Sequence, residues 1–188
     1  MQPPADRAFR IGFGHDIHRL VPGGRLVLGG VVIENAEAGF DTHSDGDVLC
    51  HALVDALAGA LADGDLGTHF PEDDPEAENA RSLDFVAQFA DTVRAAGMAV
   101  ANLDSFVVLG TTRLRPHVEQ MRQNLAAALA VDLTRVSVKA RSNDGVGPEG
   151  EGTAASASVA VLLHRLEGRS ADALAGSGST SCGTMTRS

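Results

Sequence analysis

The sequence predicts an α+β domain in which a mixed four-stranded sheet carries helices on one face, with a small hairpin beside it. Three observations carry this expectation. Short apolar runs rich in Val, Ile and Phe alternate with longer segments whose apolar residues recur at helical spacing. Clusters of glycine, proline and acidic residues separate them. At 188 residues the chain suits a single domain, and a domain of that size buries roughly 70% of its unfolded surface.

Phe9 to Phe13 reads as the first strand, running into Gly14 and the triplet Asp16-Ile17-His18. Leu26–Leu28 and Val31–Ile33 flank Gly29-Gly30 and read as the hairpin. Phe40 to Gly46 is a polar, turn-rich connection. A long helix is expected from Asp47 to Ala62, because Leu49, Leu53, Ala56, Leu57 and Ala60 recur on one face. Asp45 or Gly46 is the expected cap. The acidic stretch from Asp63 to Glu78, with its glycines and prolines, is a loop. A second helix spans Ala80 to Ala96 and stops at Gly97. Met98 to Leu109 is a strand, Pro116 opens a third helix through Ala130, and Val136 to Ala140 is a short strand. Arg141 to Thr153 is a glycine-rich loop before a final strand, Ala154 to Leu166. Residues 1–8 form a short N-terminal extension and 9–167 the folded domain. The stretch 168–188, rich in Gly, Ser and Thr, has little to bury and is expected to be disordered.

Composition excludes several classes. A formal net charge of −10 argues against a nucleic-acid groove. No apolar run approaches the ~20 residues that span a bilayer, so no membrane partner is expected. The N-terminus lacks a basic segment followed by an apolar one, so it does not read as a secretory signal. Cys50, in a helix pattern, and Cys182, in the tail, make no disulfide framework, which points to a reduced cytoplasmic protein. Trp and Tyr are absent, so the core must be aliphatic.

Chemistry concentrates near the start. Asp16 and His18, two apart, share one side of an extended strand. Asp47, His51 and Asp55, four apart, share one face of a helix. Two histidines plus a carboxylate suit a zinc ion that keeps one position open. His43-Ser44-Asp45 adds phosphate-binding groups upstream. Arg141-Ser142-Asn143-Asp144-Gly145 follows a strand bearing Lys139 and can hold phosphate through side chains and backbone N–H groups. Asp144 suits Mg²⁺ shared with phosphate oxygens. Arg113 and Arg115 suit an anion. His15, His69, His117 and His164 read as structural or surface residues.

The run from Arg10 to His18, then His43 to Val48 with His51-Ala52-Leu53 and Asp55-Ala56-Leu57, resembles the 2-C-methyl-D-erythritol 2,4-cyclodiphosphate synthase family. Gly64-Asp65-Leu66-Gly67, the run from Phe70 to Pro75, Pro116-His117 and Gln120-Met121-Arg122 follow in the same order, so the resemblance covers roughly residues 9–166. It implies a homotrimer of α+β subunits with active sites between neighbours. It implies conversion of 4-diphosphocytidyl-2-C-methyl-D-erythritol 2-phosphate to the cyclic diphosphate and CMP, in the non-mevalonate route to isoprenoids.

By the same resemblance, Asp16, His18 and His51 are ligands of a divalent metal, expected to be Zn²⁺. Asp47 and Asp55 fall to supporting roles. His43 and Ser44 hold substrate phosphates, His43 also stabilising the transition state. Asp16, Ile17 and His18 also bind substrate, and Asp65, Leu66, Gly67, Phe70, Pro71, Glu72, Asp73 and Asp74 line the methylerythritol side. Leu109, Gly110, Thr111, Thr112, Arg113, Leu114 and Arg115 surround cytidine. Arg141, Ser142, Asn143 and Asp144 come from a neighbouring subunit, with Ser142 acting on the transition state and Asp144 binding Mg²⁺. The metals would offset the repulsion between two anionic phosphates.

Three departures from the family pattern stand out. Arg141 is cationic where the family has Thr, and Pro148 stands where it has Phe. Glu151 reverses the charge of an Arg that faces the trimer axis, so an isoprenoid diphosphate is not expected there. A non-catalytic, metal-dependent protein that binds cytidine nucleotides is the alternative these departures raise.

Overall fold

The computed structural model describes residues 8–34, 36–42, 45–71 and 81–166. The expectations placed on His43, Ser44, Glu72, Asp73, Asp74, Cys182, the N-terminal extension before residue 8 and the tail from residue 168 lie outside these residues.

Five strands form the main sheet in the order β4-β1-β7-β5-β6, and β2 and β3 form a separate hairpin. Strand β1 spans Phe9–Pro22, β2 Val27–Leu28, β3 Val31–Val32, β4 Ala38–Phe40, β5 Met98–Val108, β6 Val136–Arg141 and β7 Ala154–Arg165. The sheet is mixed: β5 and β6 run parallel, and the other pairs are antiparallel. The expected four strands are all present. The fifth, β4, corrects the count. It has three residues and pairs Phe40 with Leu20 at the sheet's edge. So short a strand leaves no period to read, and the turn-forming residues after Phe40 mask it. Strand β1 also runs nine residues beyond Phe13, because β7 pairs it from Phe9 to Arg19 and β4 pairs it from Leu20 to Pro22.

Helix α1 spans Val48–Leu61, α2 Leu66–His69, α3 Ser82–Ala95, α4 Val118–Leu129 and α5 Gly147–Gly150. Two of these were not expected. The single turns α2 and α5 sit inside segments read as loops, because one helical turn is too short to show periodicity. The cap of α1 is a further correction. Asp47, not Asp45 or Gly46, accepts from Leu49 N and Cys50 N.

The helices cover one face of the sheet. Helix α1 lies across β1 and β7, α3 packs on α1, and α4 packs on α3 and β6. Glycine permits the central contact. A Cβ on Gly12 would lie 1.7 Å from Ala56 O, and one on Gly14 2.0 Å from Ala52 O. Without side chains there, β1 comes against the α1 backbone. The core is mainly aliphatic, with Phe40, Phe85 and Phe89 added. The opposite face of β1 leaves Phe9, Ile11, Phe13 and Ile17 exposed.

Candidate metal centre and active site

The contact of β1 with α1 brings two sequence-distant groups together. Asp16 and His18 project from the same side of β1 as Gly12 and Gly14, toward α1. His51 projects from the first turns of α1. Asp16 Oδ2 lies 3.0 Å from His51 Nδ1 and 3.3 Å from His18 Nε2. The two imidazole rings are 5.3 Å apart, edge to face. The three side chains can each offer one ligand atom, all within 4.8 Å of one another. Among the described residues this is the one such cluster.

Electrostatics fit that arrangement. Burial opposes ionisation of Asp16, but the His51 hydrogen bond and the two histidines prevail and hold its carboxyl below the usual range. Burial likewise opposes a charge on His51, yet Asp16, aided by Asp47 and Asp45, raises its pKa above the usual imidazole value. Asp16 thus favours a cation, a proton or a metal ion, beside His51. Two imidazole nitrogens and a carboxylate oxygen make a donor set for a divalent ion of zinc type.

Each of the three side chains is also held from behind. Asp16 Oδ1 accepts from Ile17 N at 2.9 Å. His18 Nδ1 meets Gly46 O at 3.1 Å, and Phe40 stands edge-on to its ring at 5.6 Å. His51 Nε2 meets Ser82 Oγ at 2.9 Å. Ser82 and the Gly46 carbonyl were not anticipated. Neither carries a sequence signal, since each acts across the fold. Gly46 takes φ +64, and a Cβ there would crowd Thr42 and Phe40.

Asp47 and Asp55 do not join the cluster. Asp47, fully buried, caps α1 and holds Gly29 N and Gly30 N. Asp55 Oδ1 accepts from Leu66 N at 2.7 Å and so fixes the start of α2. Of the other anticipated residues nearby, Asp65 caps α2 through Thr68 N and Oγ1. Those bonds hold its carboxyl below the usual range. Phe70 stacks on Phe85 at 4.3 Å.

A pocket of about 490 Å³ lies beyond the C-terminal ends of β5 and β6. Leu109 to Arg115 and Ala140 to Ser142 line it, including Arg113, Arg115 and Arg141. This is the stretch the sequence marks for an anion or nucleotide. Ser142 Oγ donates to Asp144 Oδ1 at 3.1 Å, and Asn143 and Asp144 take left-handed backbone conformations. The metal cluster lies at the same end of the sheet. Asp16 pairs with Ala157 of β7, which in turn pairs with Val107 of β5.

The YgbB family model matches residues 9–164. The chain belongs to the YgbB family. Curated relatives match over most of the chain. The chain is 47% identical over 155 residues to the 2-C-methyl-D-erythritol 2,4-cyclodiphosphate synthase of Gloeobacter violaceus, covering 82% of this chain and 94% of that one. It is 47% identical to the enzyme of the same name from Syntrophomonas wolfei, covering 83% and 99%. Solved structures of YgbB-like chains share the fold. A 2C-methyl-D-erythritol-2,4-cyclodiphosphate synthase structure matches with TM-score 0.76 at 34% identity, covering 82% of this chain and 99% of that chain. The bifunctional IspDF of Campylobacter jejuni matches with TM-score 0.79 at 34% identity over 84% of this chain but 42% of its own. A further synthase structure, in a CDP-bound form, matches with TM-score 0.76 at 32% identity, covering 82% and 99%.

Proposed function

We propose that this chain is a lyase that cyclises 4-diphosphocytidyl-2-C-methyl-D-erythritol 2-phosphate to 2-C-methyl-D-erythritol 2,4-cyclodiphosphate, releasing CMP, in the non-mevalonate route to isoprenoid precursors. The observation that carries this reading is the convergence of Asp16, His18 and His51 in a YgbB-family chain. These three residues would hold a divalent metal, Zn²⁺ by donor type, and Asp144 would hold Mg²⁺ together with substrate phosphates. Such ions, when bound, supply Lewis-acid polarisation of phosphoryl oxygens and offset their charge.

The chain's own residues do the positioning. The reaction needs no strong base, because a phosphate monoester is already an anionic nucleophile at neutral pH. Its 2-phosphate oxygen forms a bond to the β-phosphorus, and the anhydride bond to CMP breaks. Holding both ends of one substrate makes this an oriented intramolecular step. Leu109 to Arg115 with Arg141 to Asp144 would hold the cytidine end, a role supported by the CDP-bound relative of the same fold. Asp65, Leu66, Gly67, Phe70 and Pro71 would line the methylerythritol end with Glu72, Asp73 and Asp74. His43 and Ser142 would stabilise the transition state, with Ser44 on a phosphate.

We assign the exposed row Phe9, Ile11, Phe13 and Ile17 to contact between copies in a homotrimer, in which one subunit's pocket would face a neighbour's metal centre. A cytoplasmic setting accords with the absence, among the described residues, of a helix long and apolar enough to cross a membrane.

The test is phosphorus NMR of the zinc-loaded protein with the diphosphocytidyl 2-phosphate and Mg²⁺. Equimolar CMP and cyclic diphosphate are expected. No turnover by folded, metal-loaded protein, or release of inorganic phosphate instead, would overturn the assignment. Uptake of CMP without conversion would point to the non-catalytic alternative.

A further inference from the structure

His51 has both ring nitrogens engaged, and the proton inventory of its neighbours decides which one is free for a metal. Nδ1 lies 3.0 Å from Asp16 Oδ2, and Nε2 lies 2.9 Å from Ser82 Oγ. Ser82 is fully buried at the start of α3. Its hydroxyl makes a short hydrogen bond to Asp45 Oδ1, and its N–H donates to Asp45 Oδ2 at 3.0 Å. A carboxylate only accepts, and a serine hydroxyl has one hydrogen to give. That hydrogen goes to Asp45. Ser82 Oγ must then accept from the imidazole, so Nε2 carries the proton. A proton on Nδ1 makes the hydrogen bond to Asp16, and a metal ion that takes its place meets the Nδ1 lone pair facing Asp16.

His18 is set in the complementary sense. Its Nδ1 lies 3.1 Å from the Gly46 carbonyl, which also only accepts. The His18 lone pair is therefore on Nε2, again facing Asp16 Oδ2. Two lone pairs and one carboxylate oxygen converge, an arrangement that calls for a cation among them. Asp45 and Gly46 are adjacent in sequence, so one short segment presets both imidazoles, the second through Ser82.

We propose that Ser82 and Asp45 are positioning residues: as a buried relay, Asp45–Ser82–His51, they lock His51 in the Nε2–H form and aim Nδ1 at the metal. This rests on Asp16, His18 and His51 being the metal ligands, as proposed above. The relay also explains a buried serine at a position with no sequence signal. It couples the start of α3 to the metal centre, because Ser82 N and Oγ share one carboxylate. Hydrogen-bonded partners of this kind orient a ligand imidazole and raise its basicity, and their loss typically weakens metal binding roughly 10–100-fold.

The test combines nitrogen NMR of zinc-loaded, ¹⁵N-histidine protein with zinc affinity, measured by chelator competition, for Ser82→Ala, Asp45→Asn and the double variant. The expected spectrum shows His51 protonated at Nε2 and His18 at Nδ1. Ser82→Ala should weaken zinc roughly 10–100-fold. Asp45→Asn should weaken it less, and should add little in the Ser82→Ala background because it acts through Ser82. Zinc bound through His51 Nε2, or unchanged affinity in a folded Ser82→Ala protein, would overturn the relay while leaving the metal centre intact. Unchanged zinc binding by His51→Ala would instead overturn the metal assignment itself. The wild-type spectrum decides the tautomer even where Ser82→Ala does not fold.

Discussion

The Asp47 carboxylate accepts the Gly30 N–H at 2.7 Å and so ties the start of helix α1 to the turn between β2 and β3. The same carboxylate accepts from Gly29, Leu49 and Cys50. One buried side chain thus caps the helix that carries His51 and closes the hairpin beside it. Replacing Asp47 with Ala should remove a cap, worth about 1 kcal/mol. It should also leave buried donors in the Gly29-Gly30 turn unpaired, at a further 1–3 kcal/mol or so. A total loss of about 3 kcal/mol is expected in urea unfolding. A loss under about 1 kcal/mol would show that water takes over these donors.

Gly14 sets the distance between Asp16 and His18 on β1 and His51 on α1. A Cβ there would sit 2.0 Å from Ala52 O, a backbone atom that can yield only if β1 and α1 separate. Gly14→Ala should cost about 3 kcal/mol or more and should weaken zinc, because Asp16 stays on β1 while His51 moves with α1. A variant that loses stability but keeps full zinc affinity would show that the ligands adjust independently of the strand–helix contact.

The cluster of Asp16, His18 and His51 was largely visible in the chain because its two halves are local patterns. Asp16 and His18 lie two apart on a strand, and His51 lies on a strongly periodic helix. Their meeting was not visible from spacing alone, since it depends on Gly12 and Gly14 admitting the helix backbone. Asp47 and Asp55 looked equivalent to His51 by spacing. Helical periodicity does not tell apart residues that face the cluster, cap the helix or anchor a loop, and the structure gives Asp47 and Asp55 the last two roles. Ser82 could not be found in advance, because its partners Asp45 and His51 are distant in sequence. The long elements were readable from period. The short ones, β4, α2 and α5, were not, since three or four residues define no period.

Asp104 and Lys139 join β5 to β6 on the side away from the helices. Lys139 Nζ donates to both Asp104 oxygens at 2.6 Å, and this holds the Asp104 carboxyl below its usual range. A carboxyl lowered on folding adds stability above its unfolded pKa, about 4, and that stability is lost as pH falls through the folded value. Both side chains are about half exposed, so the pair is screened and its contribution is small. Lys139→Met should cost about half a kcal/mol at neutral pH and low salt. The difference should shrink below about pH 4 and in high salt. A difference that persists at both extremes would assign the effect to packing.

Arg141 lies with its guanidinium carbon 5.9 Å from the Phe106 ring centroid and lines the pocket with Arg113 and Arg115. If it supplies charge to a nucleotide phosphate, Arg141→Thr should weaken CDP binding about tenfold, or about 1.4 kcal/mol. Calorimetry at fixed ionic strength reads this directly. Unchanged affinity would confine Arg141 to its contact with Phe106.

The proposed metal centre depends on β1 and α1 bringing Asp16, His18 and His51 together. Anomalous diffraction at the zinc edge, from crystals of the zinc-loaded protein, tests it most directly. One peak per chain is expected, among Asp16 Oδ2, His18 Nε2 and His51 Nδ1. A peak on other side chains, or none there at full zinc loading, would contradict it.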